Sequence, residues 1–481
     1  MNPLFYLIRH LYLLQLESYD ITRYAAAIRR GALSVEPRKA LVWTPKTIFL
    51  FVIAILLILA IAAGIGWLVL AYVGSILIGL LTFLLLICLG VRAPFIGISM
   101  GAFLILPVDM LLKKIYVSRA RRKMQNLPHV RVIGIAGSYG KTTMKEVLSV
   151  ILGAKFRVLK TPENINTPLG IARLILDTLT PDIEIFVVEM GAYQRGDIRA
   201  ICDIVKPEIS ILTGINESHR ERFGSLQATV AAKFEIVEAT KPDGVVVFNA
   251  DDTSVMEHYM LSAGERKIFF YSAKDDGRAY FKTSGLRFDS DTLTASFRLE
   301  HGGTREDFRI NLLGEYAVGT VSGAMVVASI LEVPFSKARR AAAFLQPVPH
   351  RLQPIRTNSD ILVIDDSYNG NPRGVHEAIL LLSKFRSRRK IFLTPGLVEM
   401  GGQSDAVHSA IGRELAGVAD VVILIKNSVT QCIAEGLKEA GFEGKRLVWF
   451  DSANDAHKAL RSLLRPGDVL LLQNDWTDNY Q

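Results

Sequence analysis

From Thr47 to Val91 the chain runs 45 residues without an Asp, Glu, Lys or Arg. That run constrains the fold more than any other feature. A helix needs roughly 20 apolar residues to cross a bilayer, so the run predicts two spans, near Thr47–Trp67 and Ala71–Val91. Its length argues against a single buried core helix. A further apolar piece, Ala93–Leu112, carries Pro94, Pro107 and Asp109 and reads as a third span or as a re-entrant or interfacial hairpin, the in-plane hairpin being the one the flanking charges favour. Basic residues flank both sides: Arg9, Arg23, Arg29, Arg30, Arg38, Lys39 and Lys46 before it, and Lys113, Lys114, Arg119, Arg121, Arg122 and Lys123 after it. Positive flanks stay on the cytoplasmic side, so an even number of crossings is expected. The segment Leu4–Tyr24 mixes apolar residues with Arg9, Glu17 and Arg23, the pattern of an interfacial amphipathic helix or of a plain soluble one.

The net charge of +9 is confined to this part of the chain. Residues 1–130 hold a net +10 and the remainder a net −1. The basic excess suits anionic headgroups, and the balanced remainder argues against nucleic acid as a partner. Three cysteines, Cys88, Cys202 and Cys432, have no metal-ligand or redox spacing.

After Val130 the pattern changes. Apolar runs RVIGIA, FRVLKT, IEIFVVEM, EISILTGI, GVVVFNA and KIFFYS alternate with helical stretches such as Lys145–Leu152, Ile198–Val205 and Ala228–Ala239. Such alternation predicts a parallel sheet covered on both faces. Residues 280–313 alternate polar with apolar and read as a small antiparallel excursion. Prolines 347, 349 and 354 mark a linker. Beyond it ILVIDD, KIFLTPG, VVILIK, RLVWF and DVLLLQ restart the alternation. The expected organisation is an amphipathic region (1–46), a membrane region of two spans plus a hairpin (47–112), a basic linker (113–129), a central phosphate-loop α/β domain (130–346) and a C-terminal Rossmann-like α/β domain (347–481).

VIGIAGSYGKTTMKEV, Val132–Val147, joins a strand to a helix. Gly137 and Gly140 allow a tight turn, with Ser138 between them, that aims backbone N–H groups at phosphate oxygens. Lys141 would pair with the terminal phosphates, and Thr142 or Thr143 would reach Mg²⁺. The spacing is GxxGxxGKTT rather than GxxxxGK[ST], because Ile135 stands where the first Gly belongs. Glu189 ends an apolar strand, as a magnesium ligand or a solvated surface charge. His219 lies in a loop, a ligand or an ordinary loop histidine. Lys233 sits among apolar residues in VAAKFEIVEA and by itself reads as a snorkelling surface lysine. Asn249, Asp251 and Asp252 end another strand.

GIAGSYGKTT, TPENINTPLGIA, FVVEMGA, the loop through His219 with AAKFEI, FNADD, then IDDSYNGNP and LVEMGGQSDAVH, in this order, resemble the Mur ligases over about Val130–Leu472. These are the ATP-dependent ligases of peptidoglycan stem-peptide assembly. IDDSYNGNP is similar to the branch that adds D-alanyl-D-alanine. The resemblance implies ATP and Mg²⁺, a muramoyl-peptide substrate (UDP-linked or lipid-linked), an amino acid or dipeptide, and an acyl phosphate between them. It implies that Thr142, Glu189 and His219 belong to the metal sites, and that Lys233 aligns with a lysine carbamylated in many members, which would make it a further metal ligand. It puts Asn249 at the base or ribose and Arg351 near the phosphates. Asp366, Tyr368 and Asn369 would approach ATP from the C-terminal domain, and Asn371 and His408 would have at most a substrate role. Lys141, Lys233, His219 and Arg351 are thus the expected catalytic set.

Two departures stand out. Soluble members carry an N-terminal UDP-sugar domain, where this chain has membrane helices. Their basic C-terminal end is replaced by LLLQNDWTDNYQ, with Gln473, Asn474 and Asp475. The expected activity is therefore a membrane-anchored ligase at the bacterial cytoplasmic membrane, its catalytic domains in the cytoplasm. Alternatives are a related γ-glutamyl or polyamino-acid ligase and, from another class, a transport ATPase. Two spans are few for a transport pathway, and no LSGGQ-like signature follows the phosphate loop.

Overall fold

A computed structural model describes residues 3–474 apart from 18, 30, 32, 34–40, 93, 164, 193, 217–224, 369 and 399. The chain divides into two units, residues 1–115 and 116–476.

In the first unit, helices α1 (Pro3–Leu16) and α2 (Ile21–Arg29) precede three apolar helices, α3 (Pro45–Val73), α4 (Ile76–Arg92) and α5 (Phe95–Gln125). Thr44 caps α3 by accepting from Thr47 N, Pro45 fills the first turn, and Gly74, at φ +69°, ends it. Glycines let the helices approach. A Cβ on Gly66 would lie 3.2 Å from Gly79 O, and one on Gly97 3.2 Å from Ala54 O. Gly90 meets Ile58, Gly101 meets Ile53, and Lys46 pairs with Asp109 at 3.3 Å. These contacts climb α4 and α5 while descending α3, so α4 and the first half of α5 run successively antiparallel along α3. Leu7, Leu11 and Leu14, on one face of α1, pack with Leu50, Ala54 and Ile98.

This corrects the expected hairpin and linker: 95–125 is one helix. Pro94, which cannot continue a hydrogen-bonded turn, stands in the gap between α4 and α5. No glycine-rich turn interrupts α5, Pro107 is accommodated inside it, and the Asp109–Lys113 pair (2.9 Å) reinforces the next turn.

The second unit holds both α/β domains. The central domain runs β1 (Arg131–Ala136), α6 (Lys141–Leu152), β2 (Val158–Lys160), α7 (Pro168–Thr178), β3 (Ile185–Glu189), α8 (Asp197–Val205), β4 (Ile209–Leu212), α9 (Leu226–Ala239), β5 (Val245–Asn249), α10 (Thr253–Ala263) and β6 (Lys267–Tyr271). Its sheet has the order β2-β3-β1-β4-β5-β6, and every pairing is parallel. Alternate residues of β1 feed two cores: Ile133 and Ile135 one face, Val132 and Ala136 the other. That is why its strands read as continuous apolar runs. An antiparallel sheet, β7 (Lys282–Asp289), β8 (Thr294–His301) and β9 (Thr304–Ile310), follows, then α11 (Glu315–Ile330) and α12 (Phe335–Ala342).

The C-terminal domain contains β10 (Gln353–Arg356), β11 (Leu362–Asp366), α13 (Pro372–Ser383), β12 (Arg389–Thr394), α14 (Ser404–Ala416), β13 (Val421–Ile425), α15 (Thr430–Glu439), β14 (Leu447–Phe450), α16 (Ala453–Leu463) and β15 (Asp468–Gln473). The sheet order is β10-β11-β15-β12-β13-β14, with β10 an antiparallel edge. The proline-marked linker therefore ends in a strand. The antiparallel sheet joins this domain's core through Leu293 and Phe288, whose ring lies 5.5 Å from Phe385.

Candidate active site

In the central sheet β1 has β3 on one side and β4 on the other, a topological switch point where strand ends open a crevice. The phosphate loop follows β1 here. Gly137 adopts φ +148° and Gly140 φ +75°. A Cβ on Gly137 would collide with Thr213 Oγ1 beyond β4, so glycine is required both for conformation and for space. Lys141 opens α6 and curls back, donating to Gly137 O (2.7 Å) and Ser138 O (3.3 Å). Burial pushes its ammonium pKa down, opposed by Glu189. The buried Ser138 Oγ has no partner among the described residues, an orphaned donor that a phosphate oxygen would satisfy.

Glu189, at the end of β3, is 3 % exposed, so the surface-charge alternative fails. Its Oε2 accepts from Thr142 Oγ1 at 3.1 Å. A carboxylate and a hydroxyl beside a phosphate loop are hard oxygen donors and fit Mg²⁺, which keeps waters and takes the rest of its shell from phosphates. Lys233 is also 3 % exposed, not a snorkelling residue. Its Nζ lies 3.4 Å from Ala192 O, and burial together with Lys141 pushes its pKa down to about 7. That keeps a sizeable neutral fraction, the form carbamylation needs. His219 lies outside the described residues, as does Asn369.

From the C-terminal domain Arg351 and Asp366 line the same cavity as Ser138–Thr143. Arg351 donates to Tyr368 O (2.8 Å), with the Tyr368 ring 4.5 Å below its guanidinium. Tyr368 supports Arg351 and is not part of the cavity lining. Burial pushes the Asp366 carboxyl up to about 6 although Gln473 Nε2 (2.9 Å) and Leu352 N (3.2 Å) donate to it. Asn249 donates to Thr213 O (2.7 Å), accepts from Asp251 N (3.0 Å), and lines an adjoining cavity. Asn371 caps α13 through Gly374 N (3.0 Å). His408 is wholly buried, accepting from Leu397 N (2.8 Å) and donating to Ser404 O (2.6 Å), so its place is structural and a substrate role is not supported.

Three residues at this site escaped the sequence reading. Lys145, fully buried, sits 3.1 Å from Glu189. Its visible signal is a charge among the apolar residues of KTTMKEVL. Arg373, on the first turn of α13, reaches across to the phosphate loop: it donates to Tyr139 Oη (2.6 Å) and Asp251 O (3.0 Å). Tyr139 in turn donates to Asp252. No sequence signal links Arg373 to Tyr139.

This site, a phosphate loop on one α/β domain facing a second across a shared cavity, is the arrangement of a two-domain nucleotide-dependent ligase. The chain matches the Mur ligase middle domain over residues 135–328 and the Mur ligase glutamate ligase domain over residues 350–473. It belongs to the Mur ligase family, whose members are ATP-dependent, ADP-forming ligases. It is 26% identical over 344 residues to the UDP-N-acetylmuramoyl-tripeptide–D-alanyl-D-alanine ligase of Bacillus subtilis, covering 71% of this chain and 72% of that one. The Escherichia coli enzyme of the same name is 28% identical over 356 residues, covering 70% and 76%. The MurF ligase of Thermotoga maritima in complex with ADP shares the fold at TM-score 0.66 and 24% identity, over 76% of this chain and 80% of that one.

Proposed function

We propose that this chain is a membrane-anchored, ATP-dependent amide ligase of peptidoglycan precursor synthesis that adds D-alanyl-D-alanine to a muramoyl peptide. The observation that carries it is the single cavity lined by Lys141 and Thr142 from the central domain and by Arg351 and Asp366 from the C-terminal domain. Relatives named for this reaction match both domains.

A substrate carboxylate oxygen attacks the γ-phosphorus of ATP, and the bond to the ADP oxygen breaks. The amine then attacks the acyl carbon, the amide forms, phosphate leaves, and the amine proton passes to solvent. The loop amides, Lys141 and Arg351 hold the phosphates in line, which is most of what phosphoryl transfer asks of a protein. Thr142 and Glu189, with His219 and a carbamylated Lys233 as further ligands, would hold Mg²⁺, which would supply charge neutralisation at the phosphates. Asn249 orients the nucleoside. Asp366, Tyr368 and Asn369 support closure from the C-terminal side.

The helical unit supports the anchor. The apolar part of α3 is roughly 40 Å long, enough for a hydrocarbon core of about 30 Å. Two of the helices have the length and hydropathy of a span, and α4 is a shorter apolar helix. Antiparallel α4 and early α5 together make one return path, which gives two crossings and leaves both basic flanks on the cytoplasmic side. Anchorage favours a lipid-linked acceptor. A second reading, the same chemistry on another amine, draws on the end of β15: Gln473 is engaged with Asp366, and Asn474 with Gly370 N (2.9 Å) and Gly396 O (2.6 Å).

The test is ADP release by the full-length protein in detergent, offered UDP-linked tripeptide or lipid-linked muramoyl peptide, each with and without D-Ala-D-Ala. Release that needs both acceptor and dipeptide supports the reading and names the acceptor. Release indifferent to every acceptor and amine overturns it.

A further inference from the structure

Lys145 has no role in the chemistry above, yet it is the most completely buried cation beside it, with 0% of its side chain exposed. Burying an ammonium is costly unless anions and hydrogen bonds compensate it. Here three oxygens do so. Nζ lies 3.1 Å from Glu189 Oε2, 2.9 Å from Glu163 O and 4.0 Å from Glu146 Oε1. Glu146 is in turn held by Lys160 from β2.

The geometry is directional. Lys145 lies one helical turn after Lys141, so α6 presents both ammonium groups toward the same strand ends. Thr142 Oγ1 and Lys145 Nζ both address one oxygen of Glu189, Oε2. Together these two contacts restrain the rotation of the carboxylate about its last bond. The third anchor, Glu163 O, belongs to the β2–α7 loop, where Glu163 holds φ +35°. The same loop grips the far side of β3: Thr161 Oγ1 accepts from Glu189 N (3.0 Å), and Asn166 O accepts from Gly191 N (2.9 Å). Lys145 therefore ties the phosphate-loop helix, the metal-site carboxylate and a neighbouring loop at one atom.

We propose that Lys145 is a positioning residue that sets the orientation of Glu189 for the divalent cation, so that the cation is bound by a carboxylate already aimed and already balanced in charge. The inference rests on the reading of Glu189 as a metal ligand. Partners that orient a ligand in this way typically change metal affinity by roughly 10–100-fold when removed.

The experiment uses the full chain in detergent with ADP bound, and Mn²⁺ as the probe, its free fraction read by electron paramagnetic resonance. Lys145→Met keeps the stem and removes the charge. Glu189→Gln and the double variant complete a cycle. Lys145→Met is expected to weaken Mn²⁺ binding roughly tenfold, with ADP affinity in the absence of metal unchanged. The double variant is expected to match Glu189→Gln alone, since the two residues act as one unit. Mn²⁺ binding by Lys145→Met as tight as the parent or tighter overturns the proposal, because the lysine would then merely compete with the cation. Additive losses in the double variant overturn it too. Unchanged binding in Glu189→Gln instead removes the metal reading on which it rests. Should Lys145→Met fail to fold, Lys145→Gln, which keeps a donor toward both anchors, is judged by the same readout.

Discussion

The two α/β domains present their functional groups from the same architectural place, the carboxyl ends of adjacent strands, but they balance charge differently. In the central domain β1, β3 and β4 end in the phosphate loop, Glu189 and Thr213, and the buried carboxylate faces a buried ammonium and a hydroxyl. In the C-terminal domain β11, β15 and β12 end near Asp366, Gln473 and Gly396, and the buried carboxylate faces a neutral amide. Arg351 lies near enough to lower the Asp366 pKa but does not offset burial, and the carboxyl is pushed up to about 6. One domain thus keeps its buried carboxylate in a fixed, charge-balanced pair. The other brings the guanidinium groups of Arg351 and Arg373 to the cavity and sets its buried carboxylate against a neutral amide, so that this acid stays titratable.

Lys141→Ala should have the largest effect, because it removes the cation of the phosphate loop, which on the proposed function meets the terminal phosphates. ADP release is expected to fall at least a hundredfold or so, as for other groups that stabilise transition-state charge, with thermal stability little changed. Release within a few-fold of the parent would remove the distinction between the domains.

Asp366→Asn probes the opposite side. A folded-state pKa of about 6 lies above the ordinary carboxylate value, so ionised Asp366 destabilises the fold. The penalty is full above about pH 6 and vanishes toward about pH 4, worth up to about 3 kcal/mol. Asn mimics the protonated acid, and Gln473, whose buried Oε1 has no partner among the described residues, can turn its amide to accept from it. The variant should therefore unfold at higher denaturant than the parent near pH 8 and at nearly equal denaturant near pH 4. A gap that widens toward acid would reverse the assignment.

Arg373→Ala tests the bridge between the domains. Loss of charge-assisted bonds to Tyr139 and Asp251 should raise the KM for ATP about tenfold, with kcat less affected. A change confined to kcat would mean that Arg373 acts on the reacting groups and not on closure. The smallest effect is expected from Asn371→Ala, which removes the cap of α13. It should cost about 1 kcal/mol of stability, visible as a small drop in the unfolding midpoint and little change in KM. A large loss of activity at unchanged stability would return Asn371 to the substrate site.

Much of the fold is legible in the sequence. A charge-free run of 45 residues leaves few alternatives to long apolar helices, and apolar strands alternating with helices leave few alternatives to a parallel sheet between two cores. The phosphate loop was legible for the same reason: local glycines, a lysine and a helix start are contiguous, and backbone geometry alone brings them together. The hairpin expected at 93–112 was not borne out, because prolines within a helix and prolines between helices look alike until packing decides. Pro107 was absorbed and Pro94 was not.

What the sequence determined by itself is therefore periodic or contiguous: the long apolar helices, the alternating strands, the glycine loop, the order of the domains. What only the tertiary structure decided is burial and pairing across distance. Glu189 and Lys233, taken alone, read as surface charges until the tertiary structure buried them, and Lys145 was one more helix lysine until β3 brought a carboxylate to 3.1 Å. Arg373 meets Tyr139 234 residues away. The physical reason is that a charge acquires its role from the groups that replace its water, and those groups come from elsewhere in the chain.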